Sequence, residues 1–333
     1  MEFKTEIETK VSGQTRFVVK NKDGAVKLDT GYNPNLLLDK FFTYYDWGSY
    51  IYGAVGTGTT PPLVTDVACT NEIGVRSARL FTEGTELTTG DETIGWTRTT
   101  QNKVFRWGLG DIVGNISEYA LCTSTVGDNA IVKNLIKDGN GTPTTITVTA
   151  DDQLEIWWKL SKHTPNKAAL IAAETITNVE LNGVSTDVRF TLINPEKYST
   201  SLNMAIGPIG FTHITALKPS VIAVGAGYQE IYLANAGDTI VSSPVSSDVS
   251  TYMSGTATYD YTVPGVFKTT KVWTLPLQTD ASTESTKFIS FDNHGNTQIY
   301  GGGTAAILRF NPEFVRGPDK IFSCSISYTT TRA

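Results

Sequence analysis

The stretch Gln153-Leu154-Glu155-Ile156-Trp157-Trp158-Lys159-Leu160-Ser161 decides the fold class. Apolar Leu154, Ile156, Trp158 and Leu160 alternate with Gln153, Glu155, Lys159 and Ser161, and a two-residue period places one set on each face of a strand. Trp157 breaks the rule, because alternation puts this large aromatic on the polar face. An aromatic there is either covered by another element or offered to a partner.

The same period recurs at Val188, Phe190 and Leu192, at Ala257, Tyr259, Tyr261 and Val263, at Trp273, Leu275 and Leu277, and at Phe322, Cys324, Ile326 and Tyr328. Asp23-Gly24 and Asn182-Gly183 supply the positive φ angles of tight hairpin turns. These signals predict an all-β protein built of antiparallel β-sandwich domains. One or two short helices are expected beside them. Asn33 as cap and Pro34 at the first helical position predict one through Leu37, Phe41 and Tyr45, and Thr164-Pro165 opens a second toward Ala173.

Strand patterning stops near Thr164 to Ala173 and restarts with different spacing, which predicts two domains, 1–165 and 166–333. Thr123 to Thr145, rich in Gly, Asn, Asp and Thr, reads as a long connection or a loose extension, and Gly237 to Thr258 reads as an exposed loop. No repeat of fixed period is present, so a propeller or solenoid is not expected.

Composition narrows the function classes. The 333 residues carry a net charge of −6 and no Lys/Arg run that could track a phosphate backbone, which disfavours nucleic-acid binding. No stretch has the roughly 18 apolar residues of a membrane span, and the N-terminal Met1 to Lys10 lacks the apolar core of a signal peptide. The expected place of synthesis is a cytoplasm, without standard export. Cys69, Cys122 and Cys324 are isolated and read as reduced core residues.

A catalytic or metal constellation is not expected. His163, His213 and His294 share no ligand spacing. Gly53 to Thr60 superficially resembles a phosphate-cradling loop, but it lacks the Lys that such a loop places on the phosphates, and Pro61-Pro62 stands where a helix should begin. The acidic pairs Asp151-Asp152 and Asp91-Glu92 lie beside strands or in turns rather than in an evident cleft. The reading is therefore a non-enzyme with no cofactor and no metal.

Four further stretches occur in order. The first is Phe17-Val18-Val19-Lys20-Asn21-Lys22-Asp23-Gly24, followed by Asp29-Thr30-Gly31 and Asn35-Leu36-Leu37-Leu38-Asp39. The second is Val55-Gly56-Thr57-Gly58-Thr59-Thr60-Pro61-Pro62 with Thr65-Asp66. The third is Phe105-Arg106-Trp107-Gly108, and the fourth runs Gly114-Asn115-Ile116-Ser117-Glu118-Tyr119-Ala120-Leu121. Together, over roughly residues 14 to 165, they resemble a group of tailed-bacteriophage virion proteins usually described as tail or tail-fibre components. Cys69 departs from the group's apolar Ala-Leu ending of the second stretch.

The resemblance implies a structural component of the virion, tail or tail-attached, that assembles with copies of itself and with other virion proteins. The alternative is a receptor-binding tail-fibre or spike module that holds a host surface glycan on exposed aromatics. The residues expected at an interface are Gly56, Gly58, Pro61, Pro62, Leu63 and Trp157. Paired prolines and flexible glycines suit an extended arm that lies on a neighbour at low ordering cost.

Overall fold

The computed structural model describes residues 2–43, 51–80, 87–92, 96–165, 175–181, 183–192, 217–223, 249–252, 254–260, 262–275, 284–293, 304–316 and 322–333. In chain order the first elements are β1 (Glu2–Asn21), β2 (Val26–Asp29), β3 (Asn33–Leu37), α1 (Asp39–Thr43), β4 (Tyr52–Gly56), β5 (Glu72–Leu80), β6 (Leu87–Glu92) and β7 (Trp96–Trp107). They are followed by β8 (Gly114–Ile116), β9 (Glu118–Cys122), β10 (Ala130–Leu135), β11 (Ile146–Val148) and β12 (Asp152–Pro165). The rest are β13 (Thr175–Leu181), β14 (Val184–Leu192), β15 (Leu217–Ala223), β16 (Val249–Tyr252), β17 (Ser254–Asp260), β18 (Val266–Leu275), β19 (Glu284–Asn293), β20 (Thr304–Arg316) and β21 (Phe322–Arg332).

The chain is all-β, as its alternation predicts, and the predicted strands around Leu154, Val188, Ala257, Trp273 and Phe322 fall in β12, β14, β17, β18 and β21. The N-terminal architecture is a closed barrel rather than a two-sheet sandwich. Its strands follow the order β12-β7-β5-β4-β9-β10-β3-β1, and β1 pairs back with β12 to complete an eight-stranded antiparallel ring. Closure turns on one long strand. Over Gly13 to Thr15, β1 is hydrogen-bonded to β12 on one side and to β3 on the other. That double pairing removes the two edges a sandwich would leave.

An eight-stranded barrel has room inside for side chains and little else. Here Phe17, Val19, Phe105, Trp107, Ile156 and Trp158 fill it with their neighbours. Phe17 meets Tyr119 edge to face at 5.1 Å between ring centroids. The inward set on β12 is the set the alternation assigned.

The N-terminal half of β1 leaves the barrel and pairs in parallel with β21, which continues through β18 to β17. Thus strands from beyond residue 166 join the sheet of β1, while β13-β14-β20-β19-β15-β16 form a separate six-stranded sheet. Residues 166–174, where a linker and a second helix were expected, lie outside the described residues, and Thr164 and Pro165 end β12.

Three local expectations need correction. Asn33 and Pro34 open the strand β3, and the helix begins at Asp39. A residue before proline favours extended backbone, and pairing with β1 uses that preference. The connection expected from Thr123 to Thr145 contains β10, whose residues Ala130 to Asn134 are buried in the barrel wall. The loop expected from Gly237 to Thr258 contains β16 and the start of β17. The Asp23-Gly24 turn joins β1 to β2 with Gly24 at φ 82°.

Candidate assembly surface

On β4, β9 and β10 the residues facing away from the barrel interior include several small ones. Ala54, Ala120, Cys122 and Ala130, with Leu38 and Cys69, form a compact cluster separate from the interior. The shallow relief lets the β4–β5 connection, residues 57–71, lie flat along the outside of the barrel. Such close approach needs glycine. A Cβ on Gly56 would stand 2.5 Å from the Asn71 carbonyl oxygen, and one on Gly58 2.4 Å from Glu118 Oε1.

Glu118 sits beneath this loop with no exposed surface. Its Oε1 accepts from the backbone N–H of Gly58 at 3.0 Å and of Asn71 at 2.8 Å, so one oxygen gathers both ends of the loop. Oε2 lies 3.6 Å from Lys133 Nζ, which also reaches Asp66 Oδ2 at 3.0 Å and Thr70 Oγ1 at 3.2 Å. Ser117 adds two bonds, N–H to the Gly56 carbonyl and Oγ to the Gly58 carbonyl, both 2.9 Å. Farther along, the carbonyls of Val64 and Val67 accept from Asp39 N and Ala130 N. A loop hydrogen-bonded to the barrel at both ends and along its length in this way is fixed rather than free.

A second loop, residues 123–129, is fixed by Arg76. Its guanidinium makes a bidentate pair with Glu72 at 2.7 and 2.8 Å and donates to the carbonyls of Ser124 and Gly127 and to Asn129 Oδ1, each at 2.9 Å. Between the two loops lies an open groove of about 790 Å³, with Ala68 to Thr70, Glu72, Val75 and residues 125–128 along it.

The surface above these braces mixes polar residues with exposed aliphatic ones. Of the ten large aliphatic residues exposed among the described residues, Leu63, Val64, Val67, Val75 and Val126 belong to these two loops and the adjoining strand β5. Beneath them Cys69 and Cys122 are buried free thiols. Burial pushes the Cys122 thiol up to about 12, and burial followed by the Glu118 charge raises Cys69 further, so neither is a nucleophile at neutral pH.

The expected interface residues therefore divide. Gly56 and Gly58 are buried against their own barrel, where the loop needs their missing Cβ atoms to reach Glu118. The Gly53–Gly56 stretch is the barrel strand β4, not a free arm. Pro61 and Leu63 stand exposed on the loop and Pro62 is half-exposed. Trp157 lies on the opposite wall, half-buried, its Nε1 donating to Glu155 Oε2 at 3.0 Å. Glu118, Lys133 and Arg76 escaped the reading of the sequence. A usable signal existed for the first of them, since Glu118 opens a run of otherwise apolar residues.

No group of three or more His, Cys, Asp or Glu side chains among the described residues is placed to hold a metal. His163 meets Ser12 Oγ at 2.9 Å, and His213 and His294 lie outside the described residues. Asp152 is buried and bound by Lys27 and Thr149. No helix among the described residues is long and apolar enough to cross a membrane. No protein-family model matches the chain, and no curated protein matches it in sequence.

Proposed function

We propose that the chain is a non-enzymatic structural component of a tailed-phage virion, tail-associated, that acts by assembling with itself and with other virion proteins. The observation that carries the assembly part is the set of exposed aliphatic residues Leu63, Val64, Val67, Val75 and Val126, on β5 and on loops braced from beneath by Glu118, Lys133 and Arg76. A rigid apolar surface loses little entropy when a partner covers it.

The phage part draws support from the way the resembling stretches meet. Ser117 and Glu118 of the fourth bond Gly56 and Gly58 of the second, and Asp66 of the second bonds Lys133. Residues spaced far apart in the sequence thus serve one local purpose, and the second and fourth stretches that carry the resemblance form one unit. The two-way division at residues 165 and 166 is kept as part of the proposal, with β21 as the strand that ties the halves.

The alternative, a glycan-binding module, would use Trp157 and Tyr32. The Lys159 ammonium covers the Tyr32 ring at 3.8 Å and the Trp157 N–H is engaged, so this reading stands second.

The test is to purify particles of the phage that encodes the chain, identify their proteins by mass spectrometry and fit the barrel into particle density. The chain is expected as a stoichiometric component, with Leu63 and Val126 at a protein contact. Leu63→Asp/Val126→Asp should leave the barrel folded and lower incorporation. Absence of the chain from particles would overturn the reading.

A further inference from the structure

In the closed ring the strand pair β4–β9 stands diametrically across from the pair β1–β12. Two ion pairs on the loop side and three across the barrel are built in opposite senses, while Arg16–Asp29 on the second side leaves base and acid similarly exposed, at 33% and 37%. On the loop side the cation is buried and the acid is outermost: side-chain exposure is 6% for Lys133 against 25% for Asp66, and 4% for Arg76 against 27% for Glu72. Across the barrel the acid is buried and the cation is outermost: 28% for Lys20 and 29% for Arg106 against 0% for Glu155, and 45% for Lys27 against 1% for Asp152. Exposed Asp128 adds to the first side, its carbonyl accepting from Lys40 Nζ at 2.9 Å, and Lys159 adds to the second, where Arg16 is paired with exposed Asp29. Each side also carries apolar surface, Leu63 and Val126 on the acidic one, Val26 and half-buried Trp157 on the basic one.

We propose that the acidic, apolar loop side of one copy docks on the basic, aromatic wall of a second copy, head to tail. The proposal rests on the reading of the chain as a self-assembling component and names the two surfaces involved. Like surfaces would oppose like charges, which disfavours a two-fold dimer through either side. Opposite surfaces attract, and because they lie on opposite sides of the barrel both can be occupied at once. Such a heterologous contact extends into a ring or a filament.

Two variants of the full chain test it. Arg16→Glu/Lys159→Glu alters the basic wall at residues that brace no buried acid, and Thr125→Lys/Asp128→Lys alters the loop side at exposed positions. Circular dichroism confirms that each folds. By sedimentation velocity the wild-type chain is expected to self-associate, less so at high salt, and each variant to bind itself at least about tenfold more weakly. An equimolar mixture should recover association as one-to-one pairs, since the intact side of each variant meets the intact side of the other. A mixture that stays monomeric while the wild type assembles overturns the head-to-tail contact, as does a wild type monomeric at millimolar concentration and low salt. Neither result alters whether the chain is found in particles, which tests the underlying reading separately.

Discussion

The two opposite walls of the barrel each hold a fully buried glutamate, yet they differ in what surrounds it. Glu118 is met by the backbone N–H groups of Gly58 and Asn71 and by the buried Lys133. Glu155 is met by the tips of side chains, Lys20 Nζ and Arg106 Nε at 2.9 Å and Trp157 Nε1 at 3.0 Å. Backbone donors cannot retreat to water without unfolding the loop. Long cationic side chains can, because their stems pivot and their heads already touch solvent. The same carboxylate is thus a fastener on one wall and a tether for surface charge on the other.

Removing each glutamate measures that difference. Glu118→Ala should cost about 3–5 kcal/mol in a urea titration, the penalty for leaving a buried lysine and two amide groups without their acceptor. Limited proteolysis should then cut within residues 57–71, and a variant as stable as the wild type would end the fastener account. Gly58→Ala tests the same fastener from the loop and should cost about 1–3 kcal/mol, because its Cβ would press on the Glu118 carboxylate. Glu155→Ala should cost only about 1 kcal/mol, since Lys20 and Arg106 recover hydration. Equal losses for the two glutamates would erase the contrast.

Acid titration gives a smaller effect. Burial alone would raise the Glu155 carboxyl, but hydrogen bonds from Lys20, Trp157 and Arg106 outweigh it and hold it below its ordinary value. Lys27 first, then Thr149, hold Asp152 down to about 2 from an ordinary 3.8. A carboxyl lowered in the folded state contributes stability that is complete above its unfolded value and disappears as pH falls through the folded one. The urea midpoint should therefore be level above about pH 5 and decline toward pH 2. Asp152→Asn should flatten the lower part of that decline, and an unchanged slope would exclude Asp152 as its source.

Much of the wall opposite the loop was legible in the sequence. Alternation in Leu154 to Leu160 identified β12 and its inward side chains, and it singled out Trp157 as outward. The turn at Asp23-Gly24 was legible for the same local reason, that few residues accept positive φ. The loop is conspicuous in the sequence through Gly56, Gly58, Pro61 and Pro62, but the surface it lies on is not legible there. Those residues suit an arm that lies on a neighbour equally well as one that lies on its own barrel. Only Glu118, fixed in space beside Gly58, distinguishes the two.

What the sequence by itself determined is local: which residues alternate, where the chain turns, and which segments can approach other backbone closely. The tertiary structure decided that β1 pairs with both β3 and β12, turning a sheet into a closed ring, and that Asn33-Pro34 opens a strand. It also decided which strands stand across from one another. Closure of the ring depends on pairing between residues more than a hundred positions apart, such as Val19 with Leu154. A two-residue period fixes which face a side chain takes, but carries no information about which distant strand will lie alongside.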